Sequence, residues 1–307
     1  MLLHLIRVPY DSSHHATRMG AGPDQLVARG APDMLRAAGH TVRESVIHPA
    51  SAWRAEVRTA FELDRALAER VAGSVGAGER PIVLAGNCIT SVGTVAGLAL
   101  ALGGGEEASG ARAREPGESD DPRIGVVWLD AHGDLNTPET SPGGFLDGMA
   151  LAILTGRCWR PLAGSVPGFR AVPDRRVVLV GAPDLDPPEA ELLAHSGIAR
   201  VGLAAVRSLG VRDALAVALD QLAGEGVERV YLHIDLDVHD SAEARANEYP
   251  RPAGEGLTAA SVRELVRVVA GRFRLGAAAL TAYDPAFDPD GRTADIALEL
   301  MRHIADT

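Results

Sequence analysis

Apolar residues along this chain fall into short continuous runs separated by longer stretches with helical spacing. The short runs predict buried strands, and the stretches that repeat every three or four residues predict amphipathic helices. Strands that alternate with helices indicate a parallel sheet covered on both faces. We therefore predict an α/β fold, a three-layer α/β/α architecture with a mostly parallel central sheet. The predicted strands are Leu3 to Val8, Pro81 to Leu84, Ile124 to Leu129, Val177 to Val180, Ile198 to Leu203, Val230 to Leu236 and Ala277 to Ala282, and the predicted helices are Trp53 to about Val75, Ser91 to Leu102, Met149 to Leu154, Ala190 to His195, Val211 to Ala223 and Thr258 to Val269.

One segment interrupts this alternation. Residues 103–121 are rich in Gly, Glu, Arg and Ser and show no periodicity, which predicts a mobile surface insertion. The alternation resumes unchanged after it, so we predict that residues 1–307 form a single domain. In such folds ligands bind beyond the carboxyl ends of the strands, and the candidate chemistry is expected there.

Two motifs place acidic residues directly after predicted strands. Asp130, His132 and Asp134 occupy every second position after one apolar run, and Asp235 and Asp237 follow another with the same spacing. If the chain stays extended, side chains at every second position point the same way. Buried carboxylates that lack a partner are too costly to keep charged, which favours a bound cation. Either motif alone is also consistent with acids that cap helix N-termini; the pair of motifs is the specific signal.

These five side chains offer mostly oxygen ligands. That mixture suits manganese or magnesium better than structural zinc, which favours cysteine and histidine. Five ligands are too many for one metal ion with an open position, so a carboxylate-bridged pair of ions with a shared water is expected. The predicted reaction class is metal-assisted hydrolysis.

Composition narrows the remaining function classes. The net charge of −11 argues against nucleic acid or an anionic membrane as a partner. No apolar run reaches membrane-spanning length and no signal peptide is recognised, so a cytoplasmic location is expected. The two cysteines are too few for a secreted disulfide scaffold. The chain contains no lysine, which excludes Schiff-base chemistry and a P-loop lysine.

The segments Asp-Ala-His-Gly-Asp-Leu-Asn at 130–136 and Asp-Leu-Asp-Val-His-Asp at 235–240 resemble motifs of the ureohydrolases, the arginase, agmatinase and formimidoylglutamase group. The resemblance extends in family order from Gly20 to Pro285. It implies an arginase-like fold with two divalent metal ions, expected to be Mn²⁺, and a homo-oligomer, a trimer or hexamer. It also implies a hydrolase of carbon–nitrogen bonds other than peptide bonds, in linear amidines. Such an enzyme cleaves a small guanidino or amidino substrate by attack of a metal-bridging hydroxide, releasing urea or a related amide.

The resemblance also assigns roles to individual residues. Asp130 and Asp235 would bridge both metals, and His132 and Asp237 would complete one site. Asp134 would complete the other site and orient the hydroxide. The positions that match those binding the amino-acid end of the substrate are Asn136, Asp184, Asp186 and Glu189.

Three positions depart from the family pattern. Cys88 stands where the family has a metal-ligating histidine, and it is either a softer ligand or a small buried residue. Asp147 replaces the loop histidine assigned to proton transfer, and it either transfers protons with a raised pKa or recognises a cationic group. Ala282 replaces the glutamate that pairs with the guanidinium in arginine-cleaving members. Plain arginine is therefore a doubtful substrate, and a modified guanidine such as hydroxyarginine, or another amidine or imine, is expected.

Two alternatives remain open at this point. One is a cysteine hydrolase with Cys88 as the nucleophile and His132 or His233 as its base. The other is a non-catalytic or degenerate member of the fold that binds a metal or ligand. A metal requirement for turnover would separate these alternatives from the predicted metallohydrolase.

Overall fold

Eight parallel strands form the central sheet in a computed structural model, which describes residues 1–52, 55–103 and 122–307. The strand order across the sheet is β4-β1-β5-β10-β9-β6-β7-β8, and each neighbouring pair is parallel. A small antiparallel hairpin, β2 and β3, lies outside it. The strands are β1 (Leu2–Val8), β2 (Tyr10–Asp11), β3 (His14–His15), β4 (Thr41–Val46), β5 (Arg80–Ala85), β6 (Ile124–Asp130), β7 (Val177–Gly181), β8 (Ala199–Gly202), β9 (Arg229–Asp235) and β10 (Arg274–Thr281).

Helices cover both faces of this sheet. Alternate residues of the central strands point to opposite faces, so Val127 and Leu129 pack into one apolar core while Val126 and Trp128 pack into the other. The first core contains residues of α1, α2, α9, α10 and α11, and the second contains residues of α3, α4 and α5. The predicted three-layer fold is therefore confirmed. The helices are α1 (Gly22–Ala28), α2 (Ala31–Ala37), α3 (Glu56–Gly76), α4 (Ser91–Gly103), α5 (Ala150–Leu154), α6 (Arg160–Ala163), α7 (Pro187–His195), α8 (Leu203–Leu209), α9 (Val211–Gly224), α10 (Ala259–Arg272) and α11 (Arg292–Ala305).

Several element boundaries differ from the sequence predictions. The strand predicted from Ile198 to Leu203 is shorter, because helix α8 already begins at Leu203. Strand β4 was not predicted, since it is an edge strand with no fully buried residue and no apolar run. Helix α3 was predicted to start at Trp53, but residues 53–54 lie outside the described residues and the helix begins at Glu56.

The predicted insertion at 103–121 falls almost entirely outside the described residues, which omit 104–121. Its first residue, Gly103, is the last residue of helix α4. Within the described ranges, no helix is both long enough and apolar enough to cross a membrane.

The order of the strands brings the candidate residues together. Four central neighbours, β5, β10, β9 and β6, end at the same edge of the sheet. Cys88 follows β5, Ala282 follows β10, Asp235 ends β9 and Asp130 ends β6. Because parallel strands share one carboxyl edge, residues far apart in sequence meet there.

Candidate metal centre and substrate cavity

The backbone turns sharply at both acidic motifs. Strand β6 ends at Asp130, and Asp134 has a left-handed φ of 51°. The extended continuation assumed from the sequence is therefore wrong. The carboxylates cause the turns, because Asp130 Oδ1 accepts a hydrogen bond from His132 N at 2.7 Å and Asp235 Oδ1 accepts one from Asp237 N at 2.8 Å. The motif side chains still converge on one site.

One group of potential metal ligands contains Asp130, His132 and Asp237, whose ligand atoms lie within 4.8 Å of one another. His132 Nδ1 is 3.4 Å from Asp130 Oδ1 and 3.3 Å from Asp237 Oδ2. Burial by itself lowers the pKa of His132, but the two carboxylates raise it further than burial lowers it. Burial likewise raises the pKa of Asp237, yet the neighbouring His132 holds it at about 2. The imidazole thus occupies the position between two carboxylates where a divalent cation would bind.

A second group contains Cys88, Asp130 and His233, again with ligand atoms within 4.8 Å of one another. The Cys88 thiol donates to Asp235 Oδ2 at 3.1 Å and lies 3.2 Å from Thr281 Oγ1. Burial, together with the nearby carboxylates, raises the pKa of this thiol well above its usual range. Asp130 belongs to both groups, which is the arrangement that a carboxylate bridging two ions requires.

The burial of two further carboxylates, Asp134 and Asp235, also indicates that cations bind here. Asp134 is buried, and its Oδ2 has no hydrogen-bond partner among the described residues. Burial raises the pKa of Asp134 and of Asp235 well above the usual carboxyl range, and neighbouring carboxylates raise each further. Bound divalent cations would reverse these shifts and satisfy the free oxygen. The donor set therefore fits a pair of divalent metal ions.

A cavity of about 220 Å³ opens above these residues. Ten of the eleven predicted site residues line it, and the eleventh, Asp130, lies buried at the end of β6. Phe145 and Gly148 also line it, from the segment 143–148 that matches the substrate loop of the family by resemblance. The sequence did not identify three other lining residues as part of the site, namely Met19, Asn247 and Tyr249.

One wall of the cavity is a hydrogen-bond network built on helix α7. Asp186 Oδ2 accepts from Asn136 Nδ2 at 2.8 Å. Glu189 Oε1 accepts from Leu135 N at 2.8 Å, and its Oε2 accepts from Asp186 N at 2.9 Å. A Cβ on Gly133 would lie 2.7 Å from Glu189 Oε1, so only glycine allows this close approach. Glu189 therefore holds the 130–136 turn against the helix.

The predicted substrate residue Asp184 has a cationic neighbour. Arg251 Nη1 donates to Asp184 Oδ2 at 2.8 Å, and Arg251 Nη2 donates to Glu255 Oε2 at 2.6 Å. Asn247 and Tyr249, from the same loop, line the cavity. Asn247 Nδ2 donates to Ala282 O at 3.1 Å. The 240–257 loop has no apolar periodicity, so the sequence offered no signal that it reaches the site.

Asp147 is held by the segment that carries Cys88. Its Oδ1 accepts from Ile89 N at 2.9 Å, and its Oδ2 accepts from Asn87 Nδ2 at 3.0 Å. Burial raises the pKa of Asp147 to about 7, even though both hydrogen bonds favour the charged form. Asp147 thus combines a structural contact with a pKa suited to proton transfer.

The geometry argues against a cysteine hydrolase. A nucleophilic cysteine needs a lowered pKa and an adjacent base, whereas the Cys88 thiol donates to a carboxylate and has a raised pKa. His132 is held between two carboxylates. Burial lowers the pKa of His233 to about 3, so it is a poor proton acceptor for the thiol.

Comparison with known proteins agrees with this site. The Arginase family model matches residues 3–306. The arginase of Brevibacillus brevis is 30% identical over 246 residues, covering 79% of this chain and 74% of that protein. The arginase of Bacillus caldovelox is 29% identical over 246 residues, covering 80% of this chain and 75% of that protein. The crystal structure of arginase from Bacillus cereus superposes with a TM-score of 0.83 at 25% identity and covers 100% of this chain and 99% of that one. The chain therefore belongs to the arginase family.

Proposed function

We propose that this protein hydrolyses a carbon–nitrogen bond of a modified guanidine or amidine at a centre of two divalent metal ions. Membership of the arginase family makes it a metal-dependent hydrolase of linear amidines. The observation that carries the proposal is that Asp130 belongs to two three-residue ligand groups beside one cavity.

The residues of this chain have distinct tasks in the proposed reaction. Bound cations would supply a water of lowered pKa and neutralise the surrounding carboxylates. Asp134 Oδ2, which has no hydrogen-bond partner within the described ranges, would accept a proton from the attacking water. Asp147, with a pKa of about 7, donates a proton to the leaving amine at neutral pH. Asn136, Asp184, Asp186 and Glu189 line the far wall and orient the other end of the substrate.

The surroundings of Ala282 support a modified guanidine. Ala282 lines the cavity where arginine-cleaving relatives, by the motif resemblance, carry a glutamate. The neighbouring polar side chain is Asn247, a neutral amide. A fully charged guanidinium loses its ionic partner there, while a hydroxylated guanidine or an amidine of lower charge keeps its hydrogen bonds. We therefore propose that such a compound is cleaved in preference to plain arginine.

Manganese is the proposed metal for the position formed by Asp130, His132 and Asp237, because imidazole and carboxylate ligands suit it. A cytoplasmic location and a trimeric or hexameric assembly are further proposals, supported by the family resemblance alone. Sedimentation of the manganese-loaded protein tests the assembly.

The proposed function is tested by the stoichiometry of bound divalent metal together with release of the product amine from a panel of guanidino and amidino compounds that includes arginine and hydroxyarginine. Wild type should bind two ions and release the amine, and Asp134→Asn should lose turnover by at least a hundredfold. The matched control is Asp64→Asn, because Asp64 is also buried with an unpartnered Oδ2 but does not line this cavity. Asp64→Asn should keep the metal stoichiometry and the turnover of the wild type.

Two results would contradict the proposal. Turnover that survives complete metal removal would contradict a metallohydrolase. Two tightly bound ions without hydrolysis across the whole panel would favour the non-catalytic alternative.

A further inference from the structure

We infer that His233 is a metal ligand and that it forms, with Cys88 and Asp130, the first metal position of the centre. The inference rests on the proposed function, because it concerns the same pair of cations. A ring nitrogen of His233, Cys88 Sγ and a carboxylate oxygen of Asp130 lie within 4.8 Å of one another. Metal–ligand bonds of about 2.0–2.3 Å place two ligands of one ion at most about 4.6 Å apart. The group is therefore already close to the size of one coordination sphere.

The contacts of His233 orient its ring in the way that is common for metal-ligating histidines. His233 is fully buried on β9, and its Nδ1 is 2.9 Å from the Tyr231 hydroxyl. A metal-ligating histidine commonly uses its second nitrogen for such a hydrogen bond, which sets its tautomer. The ring also stacks on Trp128, with centroids 3.6 Å apart and planes 14° apart. The same indole donates to Asp130 Oδ2 at 2.9 Å, so one side chain orients two members of the group.

The other nitrogen of His233 shares a hydroxyl neighbour with the thiol. Its Nε2 is 3.3 Å from Thr281 Oγ1, which is itself 3.2 Å from Cys88 Sγ. One hydroxyl thus contacts both donor atoms, and a cation held by the two would replace those contacts. Asp134 gives an independent indication, because it lines the same cavity as Cys88, is more than nine-tenths buried, and has an Oδ2 without a hydrogen-bond partner among the described residues.

The two metal positions then differ in chemistry. Thiolate, imidazole and carboxylate form a donor set typical of zinc or cobalt, whereas the position at His132 has only imidazole and carboxylates. We expect the Cys88–His233 position to select Zn²⁺ or Co²⁺ over Mn²⁺. The opposing interpretation is that His233 is a core histidine satisfied by Tyr231 and Thr281.

Cobalt binding separates the two interpretations without an activity assay. Titration of the metal-free protein with Co²⁺ should show two ions and a thiolate-to-cobalt charge-transfer band in the wild type. His233→Gln should weaken the affinity for the ion that carries this band at least tenfold. His4→Gln is the matched control. His4 is equally buried and also makes two side-chain hydrogen bonds, but it lies on β1, which is not adjacent to β9 in the sheet. His4→Gln should retain the wild-type band and affinity.

A second measurement does not depend on the folding of His233→Gln. X-ray absorption of cobalt-loaded His132→Gln, which removes the other imidazole, should still show both a sulfur and an imidazole shell. A sulfur shell without imidazole, or equal affinities in His233→Gln and His4→Gln, would overturn the inference. If cobalt binding depends on His233 but no substrate is hydrolysed, the proposed function fails and this inference stands.

Discussion

Asp147 is the residue whose two possible roles can be separated most sharply. Asp147→Asn keeps one oxygen to accept from Ile89 N but places an amide nitrogen opposite the Asn87 Nδ2 donor. One buried donor then lacks a partner, which costs about 1–3 kcal/mol of stability. If Asp147 donates the proton to the leaving amine, turnover also falls by about 10²–10⁴-fold.

The pH dependence of the free energy of unfolding tests the raised pKa of Asp147. The pKa of Asp147 is raised from 3.8 to about 7, so the folded protein binds this proton more tightly than the unfolded chain does. The stability it contributes is present below pH 3.8 and is lost as the pH rises through about 7. A pKa raised from 3.8 to about 7 corresponds to about 4 kcal/mol of pH-dependent stability. In the metal-free protein, the stability difference between wild type and Asp147→Asn should therefore shrink as the pH rises from 5 to 8.

Two assays test this reasoning. Denaturant unfolding of the metal-free protein at several pH values measures the stability difference, and a pH–rate profile of the metal-loaded enzyme measures proton transfer. Wild-type turnover should decline at the higher pH values, where Asp147 loses its proton, and Asp147→Asn should lack that decline. Asn87→Ala is the control, since it removes the same hydrogen bond to Asp147 but keeps the carboxyl group, and it should keep the decline. Turnover of Asp147→Asn within twofold of wild type, with the same pH profile, would refute a role in proton transfer.

Three further predictions follow from the site. Because the pKa values of Asp134 and Asp235 are raised by burial, the folded metal-free protein holds protons that the unfolded chain releases. Its melting temperature in EDTA should therefore fall as the pH rises above about 4, and should depend less on pH once metal is restored; equal slopes would contradict this. Arg251→Gln should free Asp184 and lower the KM for substrates with a free ammonium group; an unchanged or higher KM would show that the ion pair does not compete with substrate. Gly133→Ala places a Cβ 2.7 Å from a carboxylate oxygen and should destabilise the protein by about 1–3 kcal/mol in denaturant unfolding, and a cost below 0.5 kcal/mol would show that the turn relaxes.

The central strands and the candidate metal ligands could be predicted from local sequence. Strand β6 is buried along its whole length, so it appears as a continuous apolar run with Asp130 at its end. The neighbouring strands are also buried and likewise appear as apolar runs. Because the strands are parallel, their carboxyl ends lie together at one edge of the sheet. The path of the chain after Asp130 and Asp235 could not be predicted, because it depends on carboxylate-to-backbone hydrogen bonds that form only in the folded turns.

For residues that reach the site from distant parts of the chain, the local sequence contained no pattern that predicted their position in the site. Arg251 and Asn247 lie in a loop without periodicity, and their contacts with Asp184 and Ala282 are long-range. The sequence indicated His233 only as a candidate base for Cys88 and not as a metal ligand. Its proximity to Cys88 depends on the pairing of β9 with β10 and of β10 with β5, which fixes three strands in register.

Charge compensation at the far end of the cavity bears on substrate choice. Asp184 is paired with Arg251, and both oxygens of Glu189 are held by backbone N–H groups. These contacts partly compensate the charge of both carboxylates, so each would attract a substrate cation less strongly. By the motif resemblance, Ala282 stands where arginine-cleaving relatives carry a glutamate, so an arginine molecule would find weaker ionic contacts at both of its charged ends. The proposed discrimination against arginine would then rest on two features, and restoring one of them, as in Ala282→Glu, should recover only part of the activity on arginine.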